Sequence, residues 1–570
     1  MNAAQGKNFQ SKAGDQNHFY SQLYGHCHLG TIEPHLLFSD HTVNMPQRPR
    51  AYSFSSFDKA SVGLLSDVED LRHSPISPTS ISFDEKLMST NDNIWNRLPA
   101  ALMQKALERL RAFGTLLIPS FLSSTTEGKN AAPTKLRPTA YLDGLRGVAA
   151  WVVFNGHLMG IVTKSGGGGW GHSSGQHTEY WKLPFVTLLF SGNFAVSLFF
   201  VISGYVLSMS PLASMARNPR DPATALRRLS SSIFRRPFRL YLPAVASMLI
   251  TLVLTRLNFF GALKARMPMF DNVVHGWHPL MTTWPDRLPT LGHQIYDMSN
   301  DIADLFMIFT GTLDQSYKLK YNAVLWTIKV EFRASLVLYL THAATFYMTR
   351  KARMCTVAAL IVLGYWTWAF ELPLFWAGML IAEHAAASTT PPSSPLLSPI
   401  KPWGKPARIP RQVLYWLVLL LGAYLGSIPS WQPEQVPSHA WLIPLTPFGF
   451  IPADRLWSGV GAMLTVWALS KLPLLKWLYS APVIQYLGKV SFALYLVHFW
   501  IVLGLGEVVY YCVFSVIGQE TYAAASCGFV VGYVVLLSVT IWVADVFWRL
   551  VDQPSVEWTA RLERKMFMNV

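Results

Sequence analysis

The amino-acid sequence predicts an all-α fold: a polytopic membrane bundle of about ten transmembrane helices behind a disordered cytosolic N-terminal tail. Three observations carry this prediction. Hydrophobic residues make up 51% of the 570 and charged residues only 14%, against about 25% charged in an ordinary soluble chain. Apolar runs near 20 residues recur, the length that crosses a bilayer's hydrocarbon core. The basic residues behind the net charge of +15 gather between those runs, the pattern that orients membrane helices. That placement argues for a bilayer partner and against nucleic acid.

In chain order, residues 1–92 are polar, rich in Ser, Asn, His and Pro, and without a sustained period. They read as a disordered cytosolic tail, in which Ser74 and Ser77 precede prolines. Residues 93–138 follow as a basic amphipathic, interfacial segment. Trp95, Leu98, Leu102, Ala106 and Leu110 recur at helical spacing, with Lys105, Arg109 and Arg111 between them; an ordinary packed helix fits equally well. The membrane domain is expected over 139–552, with spans at 145–162, 185–209, 238–256, 322–348, 354–370, 372–386, 413–428, 455–469, 490–509 and 523–548. A short tail, 553–570, closes the chain. The apolar stretch beginning at Asp304 is too short to span and is expected to be re-entrant or interfacial. The four cysteines (Cys27, Cys355, Cys512, Cys527) have no metal-ligand spacing and imply no disulfide framework.

Charge tests the span count. Between Pro211 and Arg239 there are seven Arg and one Asp, so this loop is expected to face the cytosol. Alternation then brings Arg350, Lys351 and Arg353 to the same side, with Lys401, Lys405, Arg408, Arg411, Lys471, Lys476 and Lys489. The opposite side receives 429–454, with two acids and no Lys or Arg, and 510–522, with one acid and no base. Ten spans with both termini cytosolic satisfy every short loop. The first residues lack a basic-then-apolar signal peptide, so the first span is expected to direct insertion.

Several polar groups lie where lipid should exclude them. The first span carries Arg146 near its start and His157 near its end. Eleven positions on a helix is about 20° beyond three full turns, so both point the same way, roughly 16 Å apart along the axis. Ionisable residues on such a stripe are functional candidates, although an Arg snorkelling at the entrance and a His satisfied by a neighbour fit as well. Lys329, Glu331 and Arg333 bring three charges into five residues of the fourth span, and His498 stands within the ninth. Ser203 and Gly204 lie in the second, where small residues also serve as a packing notch. Arg235, Arg236 and Arg239 form a cationic mouth to the third; for that cluster alone, membrane orientation is a sufficient explanation.

Together these residues carry a resemblance. The Arg-x10-His pair after Leu-Asp-Gly-Leu-Arg-Gly resembles the first-helix signature of the acyltransferase 3 family of integral-membrane acyltransferases. Phe199-Phe-Val-Ile-Ser-Gly-Tyr205 is similar to its second-helix motif, and Phe234-Arg-Arg-Pro-Phe-Arg-Leu240 to its Arg-rich third-helix entry. Leu325-Trp-Thr-Ile-Lys-Val-Glu-Phe332 resembles its Trp-x-x-x-x-Glu motif, and Leu487-Gly-Lys-Val-Ser-Phe-Ala-Leu-Tyr-Leu-Val-His498 its penultimate-helix motif. The Val-Glu-Phe-Arg variant and the long Ser/Pro tail look most like fungal members. Phe332 after Glu331, rather than a second acid, and Lys329 depart from the family's pattern.

The resemblance implies transfer of an acyl group, commonly acetyl, from an acyl-CoA co-substrate to a hydroxyl of a small metabolite, lipid or glycan, without a metal. His157 suits the general base that a weakly nucleophilic hydroxyl needs. Glu331 is expected to orient that imidazole, as carboxylates do in hydrolase triads, and His498 joins them as a catalytic candidate. Arg forks bind phosphate bidentately, so Arg146, Arg235, Arg236 and Arg239, with Ser203, are the candidates for holding coenzyme A. The alternative from another class is a proton-coupled transporter or flippase, because intramembrane His, Glu and Arg also mark proton relays. The paired, Gly/Pro-broken helices of an inverted repeat are not visible in the sequence. A scaffold that keeps the fold without catalysis is a third reading, which the joint presence of Arg146 and His157 disfavours.

Overall fold

The computed structural model describes residues 104, 108, 114, 118–120, 136–162, 168–172, 178–217, 222–264, 285–309, 319–388, 410–518 and 520–567. The expected tail 1–92, most of the 93–138 segment, Cys27 and the cluster Lys401 to Arg408 lie outside them. The chain divides into two compact units, one of residues 1–25 with 116–570 and one of residues 26–115. In the smaller unit, the described residues Gln104, Glu108 and Gly114 are helical and exposed.

The larger unit is helical, with no strand among its described residues. Its helices are α1 (Ala140–Val162), α2 (Gly192–Arg217), α3 (Pro222–Arg256), α4 (Phe259–Lys264), α5 (Leu291–Phe306), α6 (Trp326–Ala344), α7 (Arg350–Trp366) and α8 (Glu371–Ser388). They continue as α9 (Arg411–Gly426), α10 (Ala453–Leu469), α11 (Pro473–Tyr479), α12 (Pro482–Trp500), α13 (Gly506–Ile517), α14 (Tyr522–Phe547) and α15 (Gln553–Met566). Two π-helical turns, Ile501–Leu505 and Trp548–Asp552, join α12 to α13 and α14 to α15.

A helix occupies each of the ten apolar segments. By length and hydropathy, four described helical stretches are able to cross a membrane: Gly192–Met215, Ala223–Arg256, Pro482–Ile517 and Ala523–Met566. The bent pair α10–α11, turned by 100°, makes a fifth if it counts as one span. The others are shorter or carry the charges noted above.

One region differs from the sequence reading, and a second takes a helical form. The Arg-rich stretch expected as a loop is largely helix, because α3 begins at Pro222, seventeen residues before Arg239. Arg, Leu, Ala and Ser all sit readily in helices, and a proline at the first helical turn has no bond to lose. The stretch at Asp304 is the end of α5, which Thr290 caps by accepting from the His293 N–H at 3.2 Å. This helix buries Gln294, Met298, Asp301 and Leu305 on one face.

The core is continuous across the bundle, with α1 packed on α12 and α2, α2 on α8, α10 and α3, and α6 between α3 and α8. Two crossings need glycine. A Cβ on Gly204 would lie 2.2 Å from the Phe375 carbonyl oxygen, and one on Gly378 2.3 Å from that of Val201. Gly204 is therefore the notch that brings α2 against α8. Gly147 and Gly488 do the same for α1 and α12. These approaches fix where Arg146, Ser203 and His498 stand.

Candidate active site

Glu331 and Arg333 of α6 find separate partners. Glu331 accepts from Arg236 Nη2 at 2.6 Å and from Ser203 Oγ at 3.0 Å. Arg236 also donates through Nε to Ser335 Oγ at 3.0 Å, and Ser335 donates to the Glu331 carbonyl at 2.7 Å. Glu331 and Ser335 are four apart on α6, so one face of that helix presents both to the guanidinium. Arg333 turns the other way and bonds the fully buried Glu371 through Nε at 3.1 Å. Buried Lys329 lies in the fields of Asp304 and Arg333. Glu331 and Arg333 are tolerated two residues apart because each is paired with a different neighbour.

Around the Arg236–Glu331 pair lies a cationic mouth. Arg239, one turn beyond Arg236 on α3, is exposed and stands in the fields of Arg146, Arg236, Asp552 and Glu331. Arg146 has a loose contact with Asp143 at 3.9 Å. Arg235 does not join them. It pairs with Glu563 of α15 at 3.3 Å and donates to Ser231 Oγ at 2.8 Å, tying the C-terminal helix to α3.

The histidines form a second cluster. His157 of α1 and His498 of α12 meet with ring centroids 5.2 Å apart, and Phe499 packs edge-on to His157 at 5.7 Å. His157 is half-buried and His498 fully buried. His498 Nδ1 lies 2.7 Å from the Tyr495 carbonyl oxygen and 3.2 Å from that of Leu494. A carbonyl only accepts, so the proton of the neutral ring is on Nδ1 and the Nε2 lone pair is free. That Nε2 is buried and without a hydrogen-bond partner. The π-helical turn Ile501–Leu505 follows directly, a distortion frequent at functional sites.

Tyr495 stands between the two clusters. Its hydroxyl is 2.7 Å from Thr327 Oγ1, one turn before Glu331, and donates to the Val324 carbonyl at 3.0 Å. Its ring is 5.7 Å from that of His498 and 6.0 Å from that of Phe199, one turn before Ser203. Nearby, Asn322 donates to the Leu496 carbonyl at 3.0 Å and to Ser247 Oγ at 3.1 Å.

The structure thus joins Glu331, Arg236 and Ser203 directly, sets Arg146 and Arg239 beside them, and joins His157 to His498. Among the described residues no hydrogen bond links Glu331 to His157; the carboxylate expected beside the imidazole is held by Arg236 instead. Sequence reasoning missed Thr327, Ser335, Tyr495 and Asp552. The repeats Thr327-x3-Glu331-x3-Ser335 and Tyr495-x-x-His498 place each beside a chosen residue on one helix face, and were the available signal for the first three.

Comparison with known proteins places the chain among acyltransferases. A family model described as an acyltransferase domain matches residues 139–549. Acyltransferase R4 of Phoma sp. is 33% identical over 75% of this chain and 96% of its own length. Acyltransferase clz18 of Cochliobolus lunatus is 33% identical over 73% of this chain and 94% of its own. The O-acetyltransferase PaAT-1 of Phomopsis amygdali is 32% identical over 78% of this chain and 87% of its own. No solved structure matches.

Proposed function

The chain belongs to the acyltransferase 3 family, an acyltransferase of groups other than aminoacyl, and from that premise we propose that it moves an acyl group, acetyl in the first instance, from acyl-CoA to a hydroxyl. The acceptor we assign is a small metabolite, with a glycan as the second class. The observation that carries the reading is the separation of the site into an arginine mouth and an open histidine pair. Basic forks suit the phosphates of coenzyme A. A half-buried imidazole against a buried one with a free Nε2 suits proton transfer from an alcohol.

In this reading the acceptor oxygen attacks the thioester carbonyl carbon as His157 takes the hydroxyl proton. The new C–O bond forms, the C–S bond breaks, and the proton passes to the departing sulfur. His498 holds the base from one side, its free Nε2 available to the His157 ring. Glu331 acts through Arg236 and Ser203, fixing the mouth rather than the imidazole. The donor's nucleotide end enters at Arg146, Arg236 and Arg239. Its arm then follows the stripe of α1, roughly 16 Å from Arg146 to His157 along the helix.

We also assign ten spans, with both termini cytosolic and the arginine mouth on the cytosolic side. Loop charge supports this count, and a helix stands at each apolar segment. The test is purified full-length protein with radiolabelled acetyl-CoA and an extract of hydroxylated metabolites. Label is expected to appear in an ester with the native protein and to be absent with His157→Ala. Transfer that survives His157→Ala would remove this residue as the base.

A further inference from the structure

Asp552 has no part in the chemistry above, yet it stands at the arginine mouth. It closes the π-helical turn Trp548–Asp552 between α14 and α15. Pro554, in the first turn of α15, has no N–H with which to continue the i→i−4 ladder. The ladder slips to the wider π spacing there, which turns Asp552 away from the register it would have in an unbroken helix.

Packing on both sides fixes where the turn lies. Lys489 of α12 sits 4.0 Å from the centroid of the Trp548 ring. On the α3 side the contacts run in antiparallel order: Phe234 with Phe567 at 5.4 Å, Arg235 with Glu563 at 3.3 Å, Phe238 with Trp558 at 5.7 Å. Continuing that register brings Asp552 level with the turn of α3 that begins at Arg239. Burial acts most strongly on Asp552, and the charges whose fields reach it are Arg239 and then Arg146. It is half-buried, whereas Arg239 is exposed. The other carboxylates of the mouth are engaged differently: Glu331 is bonded to Arg236 and Ser203, and Asp143 makes the loose contact with Arg146.

We propose that Asp552 is a built-in competing anion: standing in the fields of Arg239 and Arg146 without an ion pair to either, it weakens the hold on an anionic donor, and so sets how readily free coenzyme A leaves. This rests on the reading of the mouth as the donor site. Removing the carboxylate takes away a like charge facing the phosphates, so the variant should bind more tightly, the reverse of what loss of a structural contact gives.

The experiment is equilibrium binding and dissociation of coenzyme A with the purified full chain in detergent, for the native protein, Asp552→Asn, Asp552→Glu and Arg239→Ala. Asp552→Asn is expected to bind about tenfold more tightly, through slower dissociation, as expected for removing one nearby like charge at an interior edge. Asp552→Glu keeps the charge and is expected to stay within about twofold of native. Asp552→Ser is the second neutral variant should the amide disturb the turn. Native binding that weakens with Arg239→Ala, together with unchanged or weaker binding in a folded Asp552→Asn or Asp552→Ser, overturns the proposal alone. Native protein that binds no coenzyme A, or binding indifferent to Arg239→Ala, overturns the donor reading and the proposal with it.

Discussion

The arginine mouth and the histidine pair are built on opposite plans. At the mouth, Arg236, Glu331, Ser203 and Ser335 satisfy one another at 2.6–3.0 Å. At the histidine end, His498 spends its only proton on a main-chain carbonyl and leaves a buried lone pair unused. A closed network holds shape and charge. An open lone pair in a buried site costs free energy unless something else is meant to meet it. On the proposed function the mouth binds and the histidines react, and mutations should divide along that line.

The largest effect expected is on kcat from His157→Ala, a loss of about 10²–10⁴-fold, the usual contribution of a positioned base. The donor KM should stay within about threefold, and steady-state kinetics at saturating acceptor would show it. Next is Arg236→Ala. It leaves Glu331 without its cation in a half-buried site, and breaking such a pair costs about 3–5 kcal/mol. Thermal melting in detergent is expected to fall sharply, with Arg236→Lys recovering only part because one ammonium cannot reach Ser335 and Glu331 as a fork does. If both variants melt like the native protein, the closed network is not what holds the mouth. Arg146→Ala comes third, expected to raise the donor KM about tenfold with kcat nearly unchanged; an unchanged KM would take Arg146 out of donor binding.

The smallest effect lies at α5, which is not one of the membrane-spanning candidates. Burial pushes the Asp301 carboxyl up to about 6, against the pull of the backbone bonds it accepts. Its Oδ2 accepts from the Tyr321 N–H at 3.0 Å, one residue before Asn322. Because the folded pKa lies above the unfolded one, the folded state binds the proton more tightly. Stability from this group is therefore present at low pH and lost as pH rises through about 6. Limited proteolysis near α5 should be faster at pH 7.5 than at pH 5, and Asp301→Asn should flatten that difference. Proteolysis that is slower at pH 7.5 contradicts the assignment.

Much of the bundle was legible because it rests on local composition. Every apolar segment is a helix, and Arg146 and His157 could be placed on one stripe from their spacing alone. The helix α5 was not legible as such. Its sequence is polar on one face, it lies in a long near-neutral loop, and its mark is a single capping Thr290. The pairing of Glu331 with Arg236 joins residues 95 positions apart, and nothing in either segment names the other. The expectation that Glu331 orients His157 came from the analogy with hydrolase triads. Only the packing of α3 on α6 shows that an arginine reaches the carboxylate. The π turns escaped for a different reason: a slip of one residue in a hydrogen-bond ladder leaves no signature in composition, beyond Pro554 after the fact.

The division between mouth and histidines is tested most directly by measuring donor binding and single-turnover acyl transfer in the same preparations of Arg146→Ala and His157→Ala. His157→Ala is expected to bind acetyl-CoA as the native protein does and to transfer at about 1% of its rate or less. Arg146→Ala is expected to bind about tenfold more weakly and, once saturated, to transfer at close to the native rate. Two variants that lose the same quantity, binding in both or transfer in both, would contradict the account.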